Sequence, residues 1–510
     1  MFKKILSMLL VVIMLMTLLV SCNGENNGEE PTQPQQNQGS NTPSKTPDDD
    51  AYDITEILPD GLYYNNTEFV VSVRNADRTK QDLGVEDDGS PLSQLLCERT
   101  MATEERLGVI ISIDFHGSTD VNAAISDMRN NIQYQESKWD AIAGVSYRIP
   151  ELASEGLFYN LYNFDYLDLS QEWWSQTLVK ELTVNDRLFL ATGDISAEYL
   201  DWCHAIFFNQ TLAKAMGMDY STFYKTVSEG KWTFNELYTL SKDAYGDLNG
   251  NQQVDDGDQF GLLISSTMLQ AFYGAARINV IVNNGTDRPY FDFNTSYIED
   301  VWTELKKIVE SPATVLNCSG VTSPSISVSA TLANYFASGK ALFLLSQLNS
   351  LVNFTSADMK DSYGVLPTPK YNEEQKEYGT QLHSCALWSI PTDAKDPDMS
   401  AAVMTSMAYD SHEIVLEPHF ERLLKTRYVK DSESGYMIDT IYYNMYMNFD
   451  SIYNEVLHPG SSFSDKNVMP MFIFGALVNG NAGSANAWWD ANRGNLESEL
   501  AGILKSFYGD

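Results

Sequence analysis

Six oxygen-bearing side chains recur at fixed intervals near the middle of the chain. Asp247, Asn249, Asn251, Gln253, Asp255 and Asp258 occupy positions 1, 3, 5, 7, 9 and 12 of a twelve-residue loop, the spacing that wraps oxygen donors around a hard cation such as Ca2+. Position 7 contributes a backbone carbonyl, so Gln253 fits. Gln252 stands where a Gly normally makes the sharp turn, and Asp258 replaces the longer, bidentate Glu, so the expectation is a structural Ca2+ site rather than a signalling one. Catalytic signatures are missing: the chain contains no GxSxG elbow, HExxH helix, P-loop or GxGxxG turn. Its six His are scattered, and His412-Glu413 has no second His four residues on. Cys97, Cys203, Cys318 and Cys385 form no CxxC pair, which argues against zinc ribbons and thiol redox motifs and for buried free thiols.

These groups need a scaffold, and apolar patterning supplies one. Phe69 to Val73, Val109 to Ile113, Ala141 to Ala143, Leu188 to Ala191, Ala341 to Leu345 and Gly364 to Leu366 read as buried strands. Leu92 to Leu107 and Val121 to Ile132 have helical spacing, and Thr233-Phe-Asn-Glu236 is a capping box opening a helix through Ala244. Strands alternating with helices predict open α/β sheets with crossover helices. At 510 residues the chain needs more than one such sheet. No Pro- or Gly-rich linker divides the body, which suits two lobes joined by crossing segments and closing about a hinge. With 69 Asp plus Glu against 33 Lys plus Arg, the net charge is −36, so nucleic acid is excluded as a partner by repulsion.

Lys3 and Lys4 precede an apolar run from Ile5 to Val20, the charged and greasy regions of a secretory signal. It ends in Leu19-Val20-Ser21-Cys22, which resembles the bacterial lipobox. That resemblance implies removal of residues 1–21, lipidation of Cys22 and an extracytoplasmic protein held at the cell membrane by its lipid alone. Residues 22–62 read as the lipidated Cys and a flexible tether, rich in Asn, Gln, Pro and Gly at its start.

Phe207-Phe-Asn-Gln-Thr-Leu-Ala-Lys-Ala-Met-Gly217 and Gly230-Lys-Trp-Thr-Phe-Asn-Glu-Leu237 resemble the extracellular solute-binding proteins of bacterial ABC importers, family 1, the relatives of maltose-binding protein. Cys97 to Arg106, Trp139 to Gly144, Ala153 to Gly156, Phe336 to Phe343, and Tyr363 to Lys370 with Gln375 fall in the same family order. The resemblance implies an α/β fold, periplasmic-binding-protein-like type II, with two α/β lobes joined by hinge crossings and a ligand cleft between them. It places residues 63–195 and 386–445 in lobe 1, and 196–385 and 446–510 in lobe 2. The implied function is that of a non-enzymatic, monomeric receptor that captures a carbohydrate, in particular an oligosaccharide, and delivers it to ABC permease subunits. The alternatives are a surface glycan-binding or sensory lipoprotein uncoupled from transport, and an extracellular glycoside hydrolase.

By the same pattern, Ser146, Tyr147 and Arg148 face the cleft from lobe 1. Tyr199, Asp201 and Trp202 lie on the hinge crossing, and Ser265, Ser266, Gln270, Gln347 and Asn349 approach from lobe 2. Sugars present hydroxyl edges and apolar ring faces, so Trp202 is the stacking candidate. Trp488-Trp489 is either a further platform or a buried helix anchor. Cys203 and Cys385 fall on the two implied crossings, where a disulfide would restrain the hinge.

Overall fold

The computed structural model describes residues 53–75, 83, 87–116, 119–285, 287–318, 327–351, 354, 359–420, 431–458, 471, 473–478, 480 and 483–509. The signal segment, Cys22 and the tether up to residue 52 lie outside the described residues. The tether expected to reach residue 62 is already packed at Asp53, whose carboxylate accepts from Thr55 N at 3.0 Å and starts a single turn, Ile54–Glu56. Ile54 and Leu58 are buried; apolar residues of this kind give the segment something to bury that the polar tether lacks.

The chain first builds a sheet of parallel strands, β1 (Thr67–Val73), β2 (Val109–Phe115) and β3 (Ala141–Val145), with β1 in the middle. Parallel neighbours require crossovers, and helices α1 (Pro91–Leu107) and α2 (Val121–Gln133) provide them. Ser90 caps α1 through its hydroxyl and Pro91 takes the first turn, where its missing N–H costs nothing. Gly108 ends α1 in the left-handed region at φ 60°, and a Cβ there would collide with the Tyr63 ring. Leu188 to Ala191, expected as a strand, is extended but pairs only at Ala191, with Trp388.

The chain then crosses into a second, mixed sheet ordered β10-β4-β9-β5-β8. Its strands are β4 (His204–Asn209), β5 (Phe260–Ile264), β8 (Thr314–Leu316), β9 (Ala341–Gln347) and β10 (Tyr363–Pro367), while β6 (Ile281–Val282) and β7 (Tyr290–Phe291) form a side hairpin. Every residue of β4, β5 and β9 is buried, as strands covered on both faces must be. The covering helices include α3 (Phe234–Lys242), α5 (Thr295–Val309) and α6 (Val328–Ala337), while α4 (Gln270–Ala275) packs on Thr380–Gln381 of the returning chain. Thr233 Oγ1 accepts from Glu236 N at 3.3 Å, so the expected cap forms. Gly261 of β5 lies so close to the end of α3 that an added Cβ would strike the Ser241 carbonyl. Gly261→Ala is therefore expected to cost about 3 kcal/mol or more of stability, measured by urea unfolding; a loss under about 1 kcal/mol would show that strand and helix are not locked together.

From β10 the chain passes through β11 (Thr380–Gln381) back to the first sheet, where β12 (Ala386–Ser389) pairs antiparallel with β3. Helix α7 (Pro397–Asp410) packs on α1. Helix α8 (Ser432–Tyr443), assigned by resemblance to lobe 1, instead packs on β10 of the second sheet; the Ser434 hydroxyl accepts from Val365 N at 3.1 Å. After β13 (Met445–Tyr446), which pairs with β11, the 24-residue helix α9 (Ala485–Tyr508) touches both halves. Its start packs on α5, and its end reaches the first half, where Phe507 meets Phe189 at 4.8 Å and Arg187 donates to Ser506 O at 2.9 Å. Assigning residues 446–510 wholly to lobe 2 therefore misses this bridge. Among the described residues no helix is long and apolar enough to cross a membrane.

Candidate binding site at the crossing segments

Three chain segments are zipped together where the halves meet. Cys203 pairs with Leu382, His383 N donates to Trp202 O at 3.0 Å, and the turn after β9 is pinned when Leu348 N donates to Cys203 O at 3.0 Å and Asn349 N to Asp201 O at 2.9 Å. Trp202 is thus held between two backbones. Beside it opens a cavity of about 500 Å³, lined by Trp202, Thr267, Met268, Ser327, Ser329, Ala330, Ala333, Ser346, Gln347, Asn349, Ser350 and His383. The His383 ring stacks on Trp202 with centroids 5.5 Å apart and planes 24° from parallel. Met268, Ala330 and Ala333 add apolar wall. The rest is hydroxyl and amide: Ser346 and Ser350 are bonded at 2.8 Å, and Gln347 Nε2 rests on Met268 Sδ at 3.4 Å. Among the described residues that line it there is no Asp, Glu, Lys or Arg, so this part of the wall offers no countercharge to an ionic solute, whose burial would be costly.

Of the candidates, Trp202, Gln347 and Asn349 are brought together in the lining of this one cavity. Gln270 lies just behind the wall, 1% exposed, with its amide Nε2 2.7 Å from His383 Nδ1. Ser265 and Ser266 support the wall without joining it; Ser265 Oγ is bonded to Thr267 Oγ1 at 2.8 Å, and Ser266 N donates to Asn317.

The other candidates are structural. Ser146 is buried and joins β3 to the chain entering β12: Cys385 N donates to its hydroxyl at 3.2 Å. Arg148 is bound at 2.9 Å to Glu151 and at 2.8 Å to Glu455; its charge is already matched. Tyr147, between them, is half-buried and is not among the cavity residues. Tyr199 is buried with its hydroxyl on Ser175 Oγ at 2.6 Å, and Asp201 accepts from His419 at 2.8 Å. Trp488 and Trp489 stack on Phe293 and anchor α9. Cys97, Cys203, Cys318 and Cys385 form no disulfide with one another. Cys203 faces Leu382 across the crossing, and by Cys385 the chain has already moved to Ser146.

His383 was missed. Nothing in its local sequence marks it; only its place on the returning crossing, beside Cys385, could have drawn attention to it. A second arrangement also escaped the sequence: Ser72 Oγ lies 2.8 Å from His116 Nε2, and His116 Nδ1 2.6 Å from Asp127. The order is that of a nucleophile, base and orienting acid, but Ser72 is fully buried while the Asp127 side chain is 59% exposed. A substrate would meet the acid rather than the hydroxyl, so the trio cannot perform acyl transfer in this form.

In the loop of oxygen donors, Gln252 adopts φ 59° without being Gly. Asp247 accepts from Gly250 N at 2.7 Å and Gln252 N at 2.8 Å, and the Asn251 amide, with Gly257 N, holds the Asp255 carboxyl below its ordinary pKa. Asp258 is 2% exposed; its Oδ2 accepts from Tyr245 and Asp255 N, while its Oδ1 is buried without a partner. That orphaned oxygen in an all-oxygen donor set fits a hard cation. Among the described residues no group of three or more His, Cys, Asp or Glu side chains converges on one point.

No protein-family profile and no curated relative matches the chain. Solved structures do. An oligogalacturonide-binding protein from Yersinia enterocolitica superposes with a TM-score of 0.55 at 13% identity, over 86% of this chain and 100% of that one. The GacH receptor of Streptomyces glaucescens, solved with acarbose, gives 0.53 at 13% over 84% and 98%. An ABC substrate-binding protein from Listeria monocytogenes, in complex with cycloalternan, gives 0.52 at 13% over 86% and 99%. At such identity the likeness is one of fold: two α/β lobes of the periplasmic-binding-protein kind.

Proposed function

We propose that the protein is a lipid-anchored extracytoplasmic receptor that captures a neutral carbohydrate, an oligosaccharide in particular, by lobe closure, and delivers it as a monomer to an ABC importer. The observation that carries this reading is the cavity at the crossings, with Trp202 and His383 as a planar wall and hydroxyls and amides rather than Asp, Glu, Lys or Arg among the described residues around it. A sugar ring offers an apolar face to such a wall and hydroxyls to such a rim. At about 30 Å³ per water molecule, 500 Å³ equals roughly 17 waters, room for more than a single small solute. The sugar-bound proteins of like fold support the same class of ligand. A hydrolase would need a carboxylate pair across the scissile bond, and among the described residues none of those lining the cavity is a carboxylate. Because the cavity touches both crossings, binding there biases the hinge.

Thermal unfolding in the presence of oligosaccharides tests the reading. A sugar at 100 times its dissociation constant adds about 2.7 kcal/mol, which raises Tm by several degrees. A shift with one sugar class and no product supports it; no shift with any sugar would remove it. Uptake of that sugar, lost on deletion of the gene, tests delivery.

We also propose that Ca2+ binds the 247–258 loop through Asp247, Asn249, Asn251, Asp255, Asp258 and the Gln253 carbonyl, in a stabilising role. Millimolar Ca2+ is expected to raise Tm by about 1 °C, corresponding to ~1 kcal/mol in a body of this size; Asp247→Ala with Asp258→Ala should abolish the shift. Equal Tm in calcium and chelator would remove the site.

A further inference from the structure

We infer that two histidines clamp the first crossing between the halves, from Asp194 to Cys203, and that His419, acting through Asp201, is a positioning residue for the cavity wall whose hold loosens as pH rises. The clamp stands without any solute; its effect on affinity rests on the carbohydrate reading.

Helix α7 does not stop at Asp410. It continues as a π-helix over Ser411–Leu416, an uncommon coil that is frequent at functional sites, and the chain from there to His419 is bonded along the crossing. His412 Nδ1 sits 2.6 Å from Asp194 Oδ2, and His419 Nε2 sits 2.8 Å from Asp201 Oδ1. Seven residues separate the two aspartates and seven the two histidines, so the pairs close the same stretch of chain at both ends. Between them Val415 packs with Ala197 and Leu96. Arg99 of α1 donates to Ile195 O at 3.3 Å and to the Ser411 hydroxyl at 3.0 Å.

The same crossing carries the cavity. Asp201 O accepts from Asn349 N at 2.9 Å, Cys203 O from Leu348 N at 3.0 Å, and Trp202 O from His383 N at 3.0 Å. Asp201 therefore takes His419 through its carboxylate and the turn after β9 through its carbonyl, next to the indole that forms the wall. A shift of Asp201 moves Trp202 relative to Asn349, both of which line the cavity.

The charges around the clamp set its pH range. Glu172, 3.8 Å from His412 Nε2, and Glu413 add to the field of Asp194, while Asp201 faces His419. Burial disfavours both imidazolium ions, but these carboxylates outweigh it and raise both pKa values. Tyr442 of α8, near Asp194, and Cys203, near Asp201, are pushed up by burial and stay neutral. Burial also pushes Asp194 up from 3.8, so its pair weakens again in strong acid. The clamp is therefore strongest in mild acid, where the histidines are charged, and weakens as pH passes their raised values. A neutral imidazole still donates one N–H, but without its charge the bond is roughly half as strong.

Hydrogen exchange in the ligand-free protein tests the clamp. Protection of the Leu348, Asn349 and His383 amides, corrected for the intrinsic rate at each pH and referred to the amides of β1, should fall about 3- to 10-fold between about pH 6 and pH 9. His419→Gln keeps a neutral donor for Asp201 and should give a pH-independent value near that of the wild type at the alkaline end. Asp201→Asn removes the charge from the other partner and should do the same, which covers a Gln variant that does not fold. The Ser196 and Tyr199 amides, bonded within the crossing, should report His412→Gln in the same way. Protection independent of pH in the wild type, or a wild-type profile in both His419→Gln and Asp201→Asn, would overturn the inference. In titration calorimetry with maltotetraose as the probe, the wild-type dissociation constant should rise about 3- to 10-fold over the same range, and that of His419→Gln should stay level. A parallel rise in both overturns the positioning role. A wild type that binds neither maltotetraose nor any other sugar removes the carbohydrate reading, while exchange still decides the clamp and its hold on the wall.

Discussion

Trp202→Ala is expected to weaken oligosaccharide binding about 100-fold. The indole supplies the planar wall, and losing its stacking and contact area removes about 2–3 kcal/mol, which is roughly that factor in dissociation constant. The fold should tolerate the change, because Trp202 is held through its backbone, by His383 N on its carbonyl and by the neighbouring Cys203 and Asp201 carbonyls on the turn after β9. Trp202→Phe keeps a ring and should recover most of the loss. Calorimetry with the sugar found by thermal shift measures both variants. Equal affinity in wild type and Trp202→Ala would mean that the ligand sits elsewhere, and would remove the cavity as the site.

Asp450→Asn is expected to stabilise the protein, and only above mildly acidic pH. Asp450 is fully buried, accepts from the Tyr273 hydroxyl at 2.7 Å through Oδ2, and has no partner on Oδ1. Burial pushes its pKa up to about 7, with a smaller contribution from the Glu181 charge. The folded protein thus prefers the neutral acid, whereas the unfolded chain ionises near the ordinary value of 3.8. Stability contributed by this group is complete below the unfolded value, declines as pH rises between the two, and is at its lowest above about 7. Each unit is about 1.4 kcal/mol, so the ceiling is about 4 kcal/mol. An Asn keeps the acceptor for Tyr273 and cannot ionise. Urea unfolding at about pH 8 should show a gain of roughly 2–4 kcal/mol, and at about pH 4 almost none. A difference independent of pH would show that Asp450 is not held neutral. The wild type should show the same slope, reinforced by two histidines. Burial disfavours the imidazolium of His412 and His419, but Asp194 and Asp201, at 2.6 and 2.8 Å, outweigh it and raise both pKa values. Their stabilisation is present below the unfolded pKa and is lost as pH passes the raised one.

How much of this was legible in the sequence depends on how local the deciding interactions are. The runs around Phe69, Val109, Ala141 and Ala341 are strands because continuous apolar stretches have to be buried on both faces. The Thr233 cap and the spacing of the oxygen donors over residues 247–258 are also readable, since each feature lies within a dozen residues. The stretch at Leu188 looked equally apolar, yet only Ala191 forms a strand-like bridge, to Trp388 on a strand reached much later in the chain, while Leu188 bonds to Asn160 and Leu161 in a loop. A family-like order of motifs put Trp202 on the crossing, and Gln347 and Asn349 after the strand that holds Phe343 in the second lobe. Arg148 failed for the opposite reason: a cleft-facing cation was a fair expectation until Glu455, 307 residues away, was found to neutralise it.

The sequence by itself therefore determined the α/β class, most of the principal strands, the Thr233 cap and the acidic net charge, all of which follow from composition and short-range pattern. Tertiary structure alone decided which side chains face one another. His383 meets Gln270 across 113 residues, Ser72 meets His116 with the hydroxyl turned inward, and α9 ties the two halves together. The physical reason is that hydrogen bonds and ion pairs act over a few ångströms, and the chain sets those distances only once both sheets and their crossings are in place.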